Sequence, residues 1–443
     1  MLTIVVITGL YLLFSSLIYI MLRNKTVPLS WRQSALFLGV KIAAGSLYGY
    51  VYGRFYKGDD TWGLNHDVWV QYQRLLHTPG RFFSTLFTLH PVPDADLYFG
   101  EFTTRLEYWE FALVTRIMAP FNLISQGNYY INVVFFSFLS FWGAYFLYTL
   151  MVTNFSQCSP IPASGNPGSR KPTLSHSQKL TPLISAHSPS FALSISVFLF
   201  LPALFWLSGI RAEGLILLFT GLLLYYFSKW IARPRAGNAL FCLACFGLLF
   251  ILRNHFAVLL LPALLAWWLS VRFQIKQVKA FGIIYGVLAV AVVVSSFCPP
   301  PFNLLRPVVQ AQQSFFALHG NTRFNLTPLE YNTGSFLLVA PEAFVNTLLR
   351  PWPWEAKGAL QWLVALENGM VWVLIAVCLT RYRGSLSKVF HHPLAWALLC
   401  IALSGYLFIG YIVPFPGAIV RYRVLPELFV LCLLATAFSR RDI

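Results

Sequence analysis

Long apolar runs separated by short polar connections fill the chain from end to end. At ~1.5 Å of rise per helical residue, about twenty residues cross a hydrocarbon core about 30 Å thick. About eleven stretches meet or approach that length: Leu2 to Leu22, Ser34 to Tyr52, Tyr129 to Val152, Ser190 to Ile210, Gly214 to Phe227, Ala239 to Leu252, Phe256 to Val271, Ala280 to Phe297, Leu360 to Leu379, Pro393 to Val413 and Val424 to Phe438. The pattern predicts an all-α, polytopic integral membrane protein. The first stretch lacks the basic start and small-residue cleavage site of a secretory signal, so it is read as a helix.

The polar positions divide the rest. Residues 1–152 hold the N-terminal helices and a first large loop over 54–128, and 153–189 form a Ser/Pro-rich segment (SPIPASGNPGSRKP) that reads as a flexible linker. Central helices follow over 190–297, then a second large loop over 298–359, expected to form a compact cap, and C-terminal helices over 360–443. In the first loop, Glu101 to Ile124 mixes charged and apolar residues at helical spacing, which predicts amphipathic juxtamembrane helices. No internal repeat is evident, which disfavours transporters built from inverted repeats.

Composition agrees: of 443 residues 57% are hydrophobic and only 11% charged, with a mean hydropathy of +0.65. That is far more apolar than a soluble chain, of which about a quarter is charged. The net charge of +17 is not concentrated in a basic face or run, so nucleic acid is not an expected partner. The basic residues instead mark topology. Arg23 to Arg32, Arg170 to Lys179, Lys229 to Arg235, Arg272 to Lys279, Arg381 to Lys388 and the tail Arg440, Arg441 are cytoplasmic by the positive-inside rule, which places the N-terminus outside and the C-terminus inside. This predicts a multi-pass protein of the cell inner (plasma) membrane. All the acids except Asp442 then fall on the outer side or in outer helix ends, although they were not used to set the orientation.

Candidate chemistry begins with Asp59 and Asp60, adjacent carboxylates where the second segment ends (YKGDDTWG). Acids beside hydrocarbon are costly and mark functional sites; the bland alternative is a helix cap or turn. Asp67 and His66 lie one helical stretch further on and are secondary candidates. Cationic clusters follow: Arg211 and Glu213 in the short hairpin GIRAEG, Arg253 and His255 in the tight turn RNHF, Arg350 and Glu355 in RPWPWEA, and Arg421, Arg423 and Glu427 in IVRYRVLPE. Glu427 is four residues after Arg423, on the same helical face. Glu367 is a further acid within an apolar segment, expected to pair with an arginine, while Lys41 has no evident partner. Cys242 and Cys245, spaced CxxC inside an apolar segment, read as packing residues. Two aspartates can hold a divalent cation through oxygen ligands, but no constellation with firm ligand spacing is present, so no cofactor or metal is firmly implied.

An acidic residue in the first large outer loop, amphipathic juxtamembrane helices and many further spans resemble the GT-C superfamily of lipid-dependent glycosyltransferases. The likeness is to bacterial relatives of protein O-mannosyltransferases and aminoarabinose transferases, and it rests on the order of elements and on the GDD of YKGDDTWG; here the acid follows the second hydrophobic segment instead of the first. The resemblance implies a polyprenyl-phosphate-linked sugar donor and a glycan, lipid or protein acceptor at the membrane lipid surface. It implies Asp59 or Asp60 as the base, and cations for the phosphate leaving group. Arg421, Arg423, Arg211, Arg253 and His255 are the donor-phosphate candidates, since arginine's fork suits phosphate; snorkelling to ordinary lipid is the alternative. Two other classes stay open: a glycan polymerase or ligase acting on lipid-linked glycans, and a transporter or flippase of such lipids.

Overall fold

The computed structural model describes residues 1–23, 29–56, 60–85, 88, 93–101, 104–155, 189–318, 323–356 and 358–439. Asp59 and nearly all of the expected linker lie outside the described residues. Within them the fold is helical throughout. α1 (Leu2–Leu22) and α2 (Trp31–Phe55) precede a group of shorter helices, α3 (Asp60–His77), α4 (Pro79–Ser84), α5 (Arg105–Met118) and α6 (Asn122–Ser125). The bundle continues through α7 (Tyr129–Phe155), α8 (Pro189–Phe198), α9 (Leu201–Trp206), α10 (Ala212–Ala232), α11 (Ala236–Leu252), α12 (Asn254–Arg272) and α13 (Gln277–Ser295). It closes with α14 (Arg306–Ala317), α15 (Thr333–Leu349), α16 (Ala359–Arg381), α17 (Arg383–Val389), α18 (Pro393–Ile412) and α19 (Pro416–Ser439).

Among the described residues eight helices are long and apolar enough to cross a membrane: α1, α2, α7, α10, α12, α13, α16 and α18. Many of their large apolar side chains face outward, among them Val287 and Val290 on α13 and Leu366, Met370 and Val373 on α16. Water would penalise such surfaces, whereas hydrocarbon accepts them. The architecture is that of a polytopic helical membrane protein. It departs from the expected eleven crossings where local chemistry intervenes. The stretch from Ser190 to Ile210 breaks at Phe200, which is extended ahead of Pro202, and gives two short helices. The stretch from Ala239 to Leu252 becomes a helix of 17 residues, α11. The final stretch is only the C-terminal part of α19, whose first turns carry Arg421 and Arg423.

Two capping boxes start helices at polar boundaries. Ser30 and Gln33 bond each other's backbone N–H groups at α2, and Thr104 and Glu107 do the same at α5; each cap contributes about 1 kcal/mol. The expected amphipathic helix is α5, with Phe111, Ala112, Thr115 and Met118 buried on one side. It packs against α3 and α11.

The second loop region holds an element the sequence pattern does not predict. α15 is an apolar helix of 17 residues that runs antiparallel to α18: Tyr411 donates its hydroxyl to the Phe336 carbonyl and Thr347 to that of Tyr406. The approach is so close that a Cβ on Gly410 would collide with the Ala343 carbonyl. Leu337 and Leu338 on α15 are among the most exposed leucines of the fold. This region therefore contributes an apolar helix laid along the bundle as well as the amphipathic α14.

Candidate functional site

The N-terminus of α3 is fixed by the residues that follow Asp60. Thr61 donates its hydroxyl to the Ile210 carbonyl at 3.0 Å, next to Arg211, and lies 2.9 Å from the Tyr129 hydroxyl. Trp62 stacks on Tyr129 at 4.4 Å and donates its indole N–H to the Gly49 carbonyl of α2. These contacts hold Asp60, the first residue of α3, beside the segment that starts α10.

Six charged side chains, four on helices α3, α5, α10 and α19 and two in the turns before α10 and α12, then alternate in sign. Arg211 donates from Nη1 to Oδ2 of Asp60 at 3.1 Å, and Nη1 of Arg421 lies 3.8 Å from the same oxygen. Nε of Arg421 is 3.1 Å from Oε1 of Glu213, which accepts from Nη2 of Arg253 at 3.2 Å. The row ends at Glu110 on α5, 3.7 Å from Nη1 of Arg253. Arg253 is the single residue between α11 and α12, with extended φ, which swings its side chain toward α10 and α5. The six described side chains of this row, three arginines and three carboxylates, sum to zero formal charge.

The arginines are held unequally. Among the described residues Arg421 makes one hydrogen bond, from Nη2 to the Tyr422 hydroxyl at 2.9 Å. Its Nε contact with Glu213 is close but not aligned as a hydrogen bond. Tyr422 also lies under both Arg253 and Arg421, at 5.1 and 4.8 Å from ring centre to guanidinium. Burial and the neighbouring Glu213 and Glu107 push the Glu110 carboxyl above its usual range, with Arg253 and Arg421 opposing. Burial works against the Arg253 cation, but Glu110, Tyr422 and Glu213 outweigh it and hold the group charged.

Beneath this row lies a cavity of about 150 Å³. Glu213, Arg253, His255, Arg421 and Tyr422 form its polar end, and Phe256, Leu259 and Ile409 are among its apolar walls. His255 stacks on Phe408 at 4.8 Å. Arg421 belongs to both places: it lines the cavity and faces Asp60, which is 54% exposed on the other side.

The other expected site residues stand elsewhere. Arg423 is 2% exposed and faces away from the row. Its Nη1 donates to the carbonyls of Thr347 at 2.8 Å and Arg350 at 3.1 Å, Nη2 donates to Asn368, and Nε lies 3.5 Å from Glu427. Asn368 donates to the carbonyls of Leu349 and Arg350, and Trp372 to that of Leu348. The last carbonyls of α15, orphaned by the helix end, are thus satisfied by α16 and α19. These residues adjoin a second cavity of about 320 Å³ whose walls are mainly apolar. Glu367 lies in the same part of α16, and one of its oxygens is buried without a hydrogen bond. Arg350 pairs with Glu355 at 3.4 Å and sits over Phe324.

Asp67 is fully buried and accepts the backbone N–H groups of Tyr98 and Phe99 at 2.6 and 3.0 Å, with His66 at 3.3 Å. It holds the loop over 93–101 to α3. Lys41 is buried within α2, as the sequence places it. Glu110, Thr61 and Tyr422 join the site although the sequence pattern does not single them out; only the placement of Glu110 on a predicted amphipathic helix hinted at proximity.

Among the described residues no group of three or more His, Cys, Asp or Glu side chains is gathered to hold a metal ion. Arg211 and Arg421 lie against the Asp60 carboxylate. No family model, curated protein or solved structure matches the chain.

Proposed function

We propose that the protein is a membrane glycosyltransferase of GT-C type, transferring a sugar from a polyprenyl-phosphate-linked donor to an acceptor on the extracytoplasmic side. The observation that carries the reading is the shared position of Arg421, between the exposed carboxylate of Asp60 and an apolar-walled cavity. In this account Arg421 and Arg211 take the donor phosphate. Their guanidinium forks offer paired donors to its oxygens and stabilise the charge that grows on the leaving group. The first isoprene units occupy the cavity walls. Asp60 accepts the proton of the acceptor hydroxyl or amine.

The test is transfer by purified protein in detergent with a defined lipid-linked sugar donor. The variant Asp59→Asn/Asp60→Asn is expected to lose activity by about 10²–10⁴-fold while retaining its folded, monodisperse state. Full activity in that variant, with transfer otherwise present, would favour a ligase or polymerase that works through arginines and histidines. Absence of any transfer by the wild-type protein, with lipid movement across vesicles, would favour a transporter.

A further inference from the structure

We infer that Glu110 takes up a proton when a lipid phosphate binds at Arg421, so that donor binding and proton uptake are linked. The inference rests on the donor-phosphate reading above and deepens it. Its basis is the order of the row, Arg211, Asp60, Arg421, Glu213, Arg253, Glu110, in which each interior cation serves two carboxylates.

The six described side chains of the row sum to zero formal charge before the ligand arrives. A phosphate that engages Arg421 draws it from Glu213, which then leans more heavily on Arg253, its hydrogen-bonded cation, with Arg211 further off. Arg253 in turn has two contacts: a hydrogen bond of 3.2 Å to Glu213 and a looser approach of 3.7 Å to Glu110. The looser contact yields. Glu110, whose side chain is 28% exposed, is then left with a diminished cationic partner in a partly buried place, where the ionised form of a carboxylate is less favourable than in water.

The charges around Glu110 point the same way. Arg253 beyond α11 and Arg421 on α19 favour its ionised form, while Glu213 on α10 and Glu107 on its own helix oppose it. Its carboxyl already titrates above the usual range because of burial. Occupying Arg421 with an anion removes a favourable term and adds an unfavourable one. The other end of the row is held differently: Asp60 keeps Arg211 at 3.1 Å and is more than half exposed. The proton comes from solvent and adds to a Glu110 carboxylate oxygen, and no covalent bond to the lipid forms or breaks.

The sign follows. The Glu110 pKa is raised in the free protein and raised further in the complex, so uptake is greatest between those two values. Binding tightens as pH falls through that window and weakens as pH rises above it.

The experiment is titration calorimetry of the full-length protein in detergent with a polyprenyl phosphate carrying no sugar, in two buffers of different ionisation enthalpy. The wild-type protein is expected to take up a fraction of a proton approaching one per lipid bound, and Glu110→Gln to take up close to none while binding with less pH dependence. Glu110→Asp is expected to restore uptake. The wild-type measurement stands without any variant, and infrared difference spectra on binding supply a second readout, the appearance of a protonated carboxyl band. Binding without proton uptake overturns the linkage and leaves the donor-site reading intact. Uptake that persists in Glu110→Gln overturns the assignment to Glu110. Absence of binding at every pH overturns the donor-site reading, and this inference with it.

Discussion

Arg421 and Arg423 stand two residues apart on α19 and have opposite surroundings. At about 100° per residue, two positions place their side chains about 200° apart around the helix. Arg421 meets carboxylates and a cavity wall, keeps one hydrogen bond among the described residues, and leaves part of its fork free to be redirected. Arg423 meets carbonyls, an amide and Glu427, and is almost fully enclosed. The first arrangement can accept an anion at the cost of loosening contacts that have alternatives. The second cannot, because each donor it would redirect abandons a carbonyl at the end of α15, the Asn368 amide oxygen or the Glu427 carboxylate. In the proposed reading one arginine serves a site and its neighbour serves the fold.

Removing the structural arginine carries the largest expected effect on stability. Arg423→Ala leaves Glu427 buried without its cation and strips the end of α15 of two hydrogen bonds, and is expected to destabilise the protein by about 3–5 kcal/mol. Thermal unfolding in detergent reads this; a loss below about 1 kcal/mol would erase the contrast with Arg421.

A smaller effect is expected at the foundation of the site. Thr61→Val removes the hydroxyl that ties α3 to the Ile210 carbonyl and lies against Tyr129. The cost in stability is about 1 kcal/mol, with a larger proportional loss of transfer activity because Asp60 is no longer held beside Arg211. An unchanged activity would show that Asp60 needs no such anchor.

The smallest expected effect lies outside both arginine clusters. Arg74 donates to both oxygens of Asp94 at 2.7 and 2.9 Å and to Asp96 at 3.0 Å. Burial raises the Asp94 pKa, but the hydrogen bonds and charge of Arg74 outweigh it and hold the carboxyl below its usual range. The stabilisation is fully present above the unfolded value of about 3.9 and is lost as pH falls through the lower folded value. Hydrogen exchange over residues 93–101 is expected to rise only in that acid range. A rise near neutral pH would instead point to the charged row around Glu110.

The sequence carried much of this and concealed the rest for identifiable reasons. Long apolar runs were legible because hydrocarbon leaves no alternative to a helix of sufficient length. The approach of Asp60 to Arg211 and Arg421 was expected only as a possibility among many arginines, since its partners lie 151 and 361 positions away along the chain. Glu110 was hidden for the same reason: its relation to Arg253 exists only after α5 packs on α11. α15 was missed because prolines and polar residues around it read as a loop, while the donors that satisfy the carbonyls at its end come from the tertiary packing of α16 and α19. Arg421 and Arg423 looked equivalent in IVRYRVLPE, and only the identity of their neighbours separates them.

The most direct test sets Arg421→Gln beside Arg423→Gln and measures, for each purified protein, both the unfolding midpoint and the affinity for a polyprenyl phosphate. The account predicts that Arg421→Gln unfolds close to the wild-type midpoint and binds about 10²-fold more weakly, as loss of a charge-assisted phosphate contact implies, whereas Arg423→Gln loses stability first. Unchanged lipid-phosphate affinity in a folded Arg421→Gln protein would contradict it.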